Sequence, residues 1–251
     1  MRKFVCAWIA GVFAASLWAA EPKTIPAAYS LLYEQSFDQA DVLQQFAMTD
    51  RKAWQISRTN NNAALELIKQ SAYKLPVVKT ADGKDLTVRS PFNIALIADQ
   101  VFGDFILEAD LMQTGREYGH RDMCLFFGVQ SPTEFYYAHI ATAADPNAHN
   151  IFVVNNKPRT NIAKQTTKGV NWGLGVWHKV RLERKLSDGT IKVYFDDFST
   201  PIMVAEDKTF GAGYIGFGSF DDTGMVDNVK VWGRRLKDPK KPVAFYQRPG
   251  K

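Results

Sequence analysis

Residues 102–156 read FGDFILEADLMQTGREYGHRDMCLFFGVQSPTEFYYAHIATAADPNAHNIFVVNN and hold three of the chain's four histidines, His120, His139 and His149. In an extended strand, Phe135, Tyr137 and His139 lie on one side and Tyr136, Ala138 and Ile140 on the other. The polar run before this strand carries Arg116, His120 and Arg121, and the one after it carries His149 and Asn150. A histidine and a tyrosine beside an arginine suit proton abstraction at a carbon next to a carboxylate. In such a site His139, Tyr137 or His120 would serve as acid or base. Arg116 or Arg121 would neutralise the carboxylate, and His149 and Asn150 would bind the rest of the ligand. The competing reading makes Tyr137 and His139 satisfied core residues and the arginines surface ion-pair partners. A metal site of His120, Asp122 and His149 has no tight ligand spacing behind it. Cys124, inside the apolar run MCLFFGV, reads as a small buried hydrophobe rather than a nucleophile.

These residues need strands to hold them and loops to present them. The runs GREYGHRD and DPNAHN are loop-like in their Gly, Pro, Asn and Asp content. Residues 123–129 and 135–141 are apolar and strand-like. The same alternation recurs along the chain. Phe105, Leu107, Ala109 and Leu111 share one face, and His178, Val180, Leu182 and Arg184 share another, which makes His178 structural. Residues 31–37, 53–58, 63–69, 77–88, 92–98, 191–195, 213–220 and 225–232 also read as strands or hairpins. Their turns are TNNN, the DG at Asp82–Gly83, and SDG. No segment of a dozen residues has strong helical periodicity. An all-β, antiparallel two-sheet sandwich of one domain is therefore expected over residues 31–233, with a linker at 21–30.

The 251 residues are 46% hydrophobic, enough for one large core. Residues 1–20 have the plan of a secretory signal: Arg2 and Lys3, an apolar stretch, then Ala19 and Ala20. Export to the periplasm or outside the cell is expected, with no later run apolar enough to span a bilayer. Removing the signal leaves Cys124 as the single cysteine, so no internal disulfide can form. Residues 234–251 carry seven Lys/Arg against one Asp, so the formal charge of +5 belongs to this tail and to the signal, not to a basic groove. Nucleic-acid binding is not supported. The tail reads as a solvated terminus, and the chain is expected to be a monomer.

Four runs in order carry a resemblance: FGDFILEADL, WHKVRLERKLSDGTIKVYFDD, GYIGFGSF and MVDNVKVW. With LLYEQSFD as an opening strand, they resemble the concanavalin A-like lectin/glucanase superfamily, in its laminin-G-like and family 16 glycoside-hydrolase-like branches. The resemblance implies a jelly roll of two antiparallel sheets, with sugar held on one sheet or on loops beside it. It does not choose between an enzyme and a binding module. A glycoside hydrolase or polysaccharide lyase acting on a polysaccharide is the first expectation; a lectin-like or adhesion module is the alternative. Family 16-type enzymes carry a strand motif similar to E-x-D-x-x-E. Here Glu108 and Asp110 are followed by Gln113 where the second catalytic Glu would stand, and hydrolysis needs two carboxyl groups. The resemblance also implies a structural calcium at Asp227 of the closing strand, helped by Asp38, with Asp221–Asp222 as a competing pair. No organic cofactor is implied.

Overall fold

The computed structural model describes residues 24–39, 41–59 and 62–248. The signal reading of residues 1–20 lies outside them. The described chain forms eighteen strands and two single-turn 3-10 helices. In order the strands are β1 (Ser30–Gln35), β2 (Phe46–Met48), β3 (Trp54–Thr59), β4 (Asn62–Leu67), β5 (Val77–Lys79), β6 (Asp85–Thr87), β7 (Asn93–Ile97), β8 (Phe105–Gln113) and β9 (Asp122–Ser131). They continue with β10 (Glu134–Ala141), β11 (Asn150–Asn155), β12 (Thr160–Asn161), β13 (Ala163–Thr166), β14 (Trp177–Arg184), β15 (Thr190–Phe195), β16 (Met203–Glu206), β17 (Tyr214–Ser219) and β18 (Gly224–Gly233).

One sheet runs β13-β16-β15-β14-β8-β18-β4-β3, with β1 also paired to β18; the other runs β12-β11-β10-β9-β17-β7-β2. Every pairing between these strands is antiparallel. The expected two-sheet sandwich is thus the observed fold. The run DPNAHN forms a loop up to the start of β11 at Asn150, as expected, whereas the short strands β12, β13 and β16 were not anticipated.

The main core lies between the sheets. Leu107, Leu111, Val229 and Val231 of the first sheet meet Leu125, Phe127, Tyr136, Ile140 and Phe217 of the second, all fully buried. Removing each such aliphatic or aromatic side chain from water contributes roughly 1.5–3 kcal/mol. A second core sits on the opposite face of the second sheet, where Cys124, Phe126, Phe135, Tyr137, Phe152 and Val154 are buried. This explains why 123–129 is continuously apolar: β9 is covered on both faces.

The cover over that second face corrects one expectation. Residues 234–251 were read as a solvated basic tail, yet Val243 and Tyr246 are buried in the second core. The segment is tied down by Val243 N–H to the Ala98 carbonyl (2.7 Å) and by paired bonds between Met48 and Gln247 (2.8 Å each way). Its apolar residues decide its place, while a cation such as Arg248 points out to pair with Asp99 at 2.8 Å. Tyr73 and Val78, from the stretch around the β5–β6 hairpin, complete the cover. At the end marked by Asp122 and His139 the same face opens into a pocket.

Candidate functional site

The pocket encloses about 100 Å³ and is lined by Arg89, Tyr118, His120, His139, Asn147, Arg159, Phe220 and Asp221. Six chain segments contribute. His139 comes from the middle of the second sheet, opposite Cys124 on β9 and Asn150 on β11. Tyr118 and His120 come from the loop before β9, closed by Arg121 N–H to the Tyr118 carbonyl at 3.2 Å. Asn147 lies in the loop before β11, which Asp145 shapes by accepting Asn147 N–H at 2.7 Å. Phe220 and Asp221 follow β17. Arg159 and Arg89 are joined through the backbone, Arg159 N–H to the Arg89 carbonyl at 3.0 Å.

Under the pocket lies a buried polar cluster. Asp122 is wholly inaccessible and accepts from Ser219 Oγ (2.9 Å), Phe220 N–H (3.2 Å) and Cys124 Sγ (3.1 Å). His139 Nε2 stands 3.3 Å from Asp122 Oδ2, a charge-pairing distance at an angle that makes no hydrogen bond. Burial pushes the Asp122 carboxyl up, but the neighbouring His139 and the donated hydrogen bonds outweigh it and hold the group below the usual carboxylate range. Asp222 goes the other way: burial, then the charge of Asp122, push it up to about 7. It accepts from Tyr118 Oη (2.8 Å) and from Asp122 N–H (3.1 Å). The donor atoms of Asp122, Cys124 and His139 lie within 4.8 Å of one another, as do those of Asp122, Asp221 and Asp222. The shared Asp122 carboxylate already has three protein donors.

The buried side-chain polar atoms that lack a protein hydrogen-bond partner are concentrated here. Among the described residues they are Tyr137 Oη, both ring nitrogens of His139, Arg159 Nε and, elsewhere, Trp54 Nε1. Buried polar groups are almost always paired, and each one left over costs about 1–3 kcal/mol. Their gathering on three neighbouring residues marks this end of the sheet as different from the rest of the fold.

The structure separates the anticipated site residues. His139 and His120 reach the pocket, His139 as its almost closed floor and His120 on the exposed rim beside Asp145 at 2.5 Å. Tyr137 shares the His139 face, as alternation predicts, but is stacked on Phe152 at 5.0 Å inside the second core and lines no pocket. Arg116 is exposed and lies over the Tyr118 ring at 4.9 Å. Arg121 is buried and donates from Nε to Gln113 Oε1 (2.8 Å) and from Nη2 to the Gln113 carbonyl (3.2 Å). His149 is buried at a left-handed φ of 52°, with Nδ1 accepting Ala141 N–H (3.3 Å) and Nε2 bonded to Thr167 Oγ1 (2.9 Å). Burial lowers its pKa to about 4, so it is neutral at pH 7. Asn150 donates to the carbonyls of Asp145 (2.7 Å) and Ala148 (2.9 Å). Arg121, His149 and Asn150 therefore build the loops that carry pocket residues.

The E-x-D motif lies on the other sheet. Glu108 pairs with Arg181, and Asp110 with Lys179 at 3.3 Å and Asn228 at 2.8 Å. His178 is structural, held between Asp196 (2.8 Å) and the Trp172 carbonyl (2.9 Å).

Four pocket residues had no signal in the sequence reading: Arg89, Asn147, Arg159 and Phe220. Asn147 lies in the run DPNAHN and Phe220 ends the run GYIGFGSF, but neither run marks them as pocket residues, and only folding brings Arg89 and Arg159 together.

No family model matches the chain, and no curated protein does. Among solved structures, it is similar to a protein of unknown function with a galectin-like fold from Bacillus subtilis. The alignment covers 82% of this chain and 98% of that one at 12% identity, with a TM-score of 0.50. The basic winged bean lectin, solved with Tn-antigen, aligns over 81% of this chain and 98% of its own at 14% identity and a TM-score of 0.49. The carbohydrate-binding module CBM66 from Bacillus subtilis aligns over 62% and 90% at 21% identity and a TM-score of 0.44. With the sheet order, the first of these likenesses establishes the fold as a concanavalin A-like jelly roll.

Proposed function

We propose that this chain is an exported carbohydrate-binding protein that takes the end group of a glycan into the pocket over His139. The observation that carries the proposal is a pocket lined by the hydrogen-bonding side chains of Arg89, Tyr118, His120, Asn147 and Arg159. Around it stand groups suited to sugar hydroxyls: Tyr118, His120 and Asn147. Binding is favoured over turnover on reach. A general acid or base must come within about 3 Å of the atom it serves, whereas Tyr137 and both ring nitrogens of His139 are buried. Asp222, held up to about 7 and bonded to Tyr118, is the carboxyl whose pKa best suits an acid near neutral pH, but it is buried and does not line the pocket.

The test is a panel of glycans and polysaccharides read for binding and for product release. One or more glycans are expected to bind without new reducing ends or unsaturated products. His120→Ala/Asn147→Ala, which removes two exposed rim groups, is expected to weaken binding about tenfold, since a typical hydrogen bond contributes about 0.5–1.5 kcal/mol. The melting temperature should stay within a few degrees. Release of product would move the reading to an enzyme, with Asp222→Asn the variant to examine. Binding unaffected by the double substitution would place the site elsewhere.

We also propose a structural calcium at Asp227, with Asp38 nearby. Asp227 is buried, and its carboxyl is raised first by that burial and then, among other groups, by the negative charges of Asp110 and Asp38. The strand bulges there, with Asn228 at a left-handed φ of 48° and its N–H donated to Asp227 Oδ1 at 2.6 Å. A bound cation would relieve this repulsion, with backbone oxygens and water filling its shell. Adding EDTA is expected to lower the melting temperature by about 5–10 °C, since an ion present at a hundred times its Kd contributes about 2.7 kcal/mol. Calcium should restore it; an unchanged melt on chelation ends the proposal.

A further inference from the structure

The pocket has two cations that take part in no ion pair among the described residues. Of the acidic groups at and around it, Asp145 pairs with His120 at 2.5 Å, while Asp222 and Asp221 accept from the Tyr118 hydroxyl at 2.8 and 3.3 Å. Arg89 and Arg159 form no ion pair with any carboxylate among the described residues. Aromatic rings hold them instead. The Arg159 guanidinium lies 4.7 Å from the Phe220 ring centre and 5.7 Å from that of Phe152, and the Arg89 guanidinium lies 5.3 Å from Phe220.

A π face fixes a cation without neutralising it. The side chain keeps its charge and its in-plane N–H donors, while its rotamer freedom is already spent. Of those donors, Arg159 Nη2 makes one long contact with Asn147 Oδ1 (3.4 Å), and Nε has no protein partner. A guanidinium binds a carboxylate or sulfate through two parallel hydrogen bonds from neighbouring N–H groups. The volume of about 100 Å³ suits one charged substituent and part of a sugar ring rather than a length of polymer.

We infer that the pocket selects an anionic glycan, setting a carboxylate or sulfate of its end group against Arg159 with Arg89 beside it. The inference rests on the carbohydrate reading above and adds the charge class of the ligand. It explains why two guanidinium groups without ion-pair partners converge on one phenyl ring.

Calorimetric titration of the full chain tests it with paired probes. Alginate, polygalacturonate and glucuronan oligosaccharides are each compared with their carboxyl-reduced, neutral forms. A carrageenan tetrasaccharide is compared with its desulfated form. The first set reports a carboxylate as the recognised group and the second a sulfate. At least one acidic member is expected to bind ten- to a hundredfold more tightly than its neutral counterpart, the range for hydrogen bonds to charged groups. Arg159→Gln and Arg89→Gln should each remove about tenfold or more of that preference. Arg159→Lys, which keeps the charge but not the fork, should fall between them and the parent. Arg89 is exposed, so Arg89→Gln gives the test even if Arg159→Gln loosens the fold. Equal binding of charged and neutral forms, or tight binding of a neutral glycan untouched by either arginine substitution, overturns the inference and leaves the carbohydrate reading standing. No binding of any probe by the parent protein overturns both.

Discussion

Asp122→Ala is expected to destabilise the protein by about 3–5 kcal/mol, the range for removing one member of a buried charge pair. In a domain of this size that lowers the melting temperature by about 10–15 °C. The carboxylate is the single acceptor for Ser219 Oγ, Phe220 N–H and Cys124 Sγ, and it stands against His139. Alanine strands all of them in a place water cannot reach. It also removes the contact that fixes the turn after β17, and so Phe220 and the arginines resting on it. Asp122→Asn retains an acceptor without the charge, so its loss should be smaller. The pair's contribution depends on pH with a definite sign. The Asp122 carboxyl is depressed in the fold, so its stabilisation is present above the ordinary carboxylate value and is lost as pH falls through the folded one. The acid limb of the stability curve should therefore flatten in Asp122→Ala. Thermal melts from pH 7 to pH 3 check both statements, and a melt within about 3 °C of the parent at neutral pH would show that the cluster carries little of the stability.

Arg121→Ala is expected to cost about 2–4 kcal/mol, because hydrogen bonds to a charged group contribute about 1.5–3 kcal/mol and here two are buried together. The guanidinium holds the side chain and backbone carbonyl of Gln113, whose Oε1 also accepts Gly115 N–H at 2.5 Å. It thereby pins the loop that presents Tyr118 and His120. Arg116→Ala, on the same loop but exposed, should stay within about 0.5 kcal/mol of the parent. Denaturant unfolding separates the two. Equal stability of both variants would return Arg121 to the role of a ligand-binding side chain.

The contrast between these two arginines shows where sequence reading stops. Composition and order place both in one polar loop, five residues apart, with the same chemistry. Burial alone distinguishes them, and burial is set by which strands pack over the loop.

The architecture was legible because a strand's period of two is local: Leu107 and Leu111, or Tyr136, Ala138 and Ile140, declare their shared faces without knowledge of their partners. The same alternation placed Tyr137 and His139 together. It could not say that their face would be roofed by Val243 and Tyr246, from a stretch whose charges suggested a solvated end. Nor could it bring Arg89 to Arg159 or set Phe220 between them, since the three residues lie on segments far apart along the chain. The sequence by itself determined the two-sheet fold and the strand on which the site is built. Only the tertiary structure decided which polar groups face a ligand, because that depends on which are consumed by the protein's own hydrogen bonds. His149, Asn150 and Arg121 are spent on the loops, while Arg89 and Arg159 line the pocket without an ion-pair partner among the described residues.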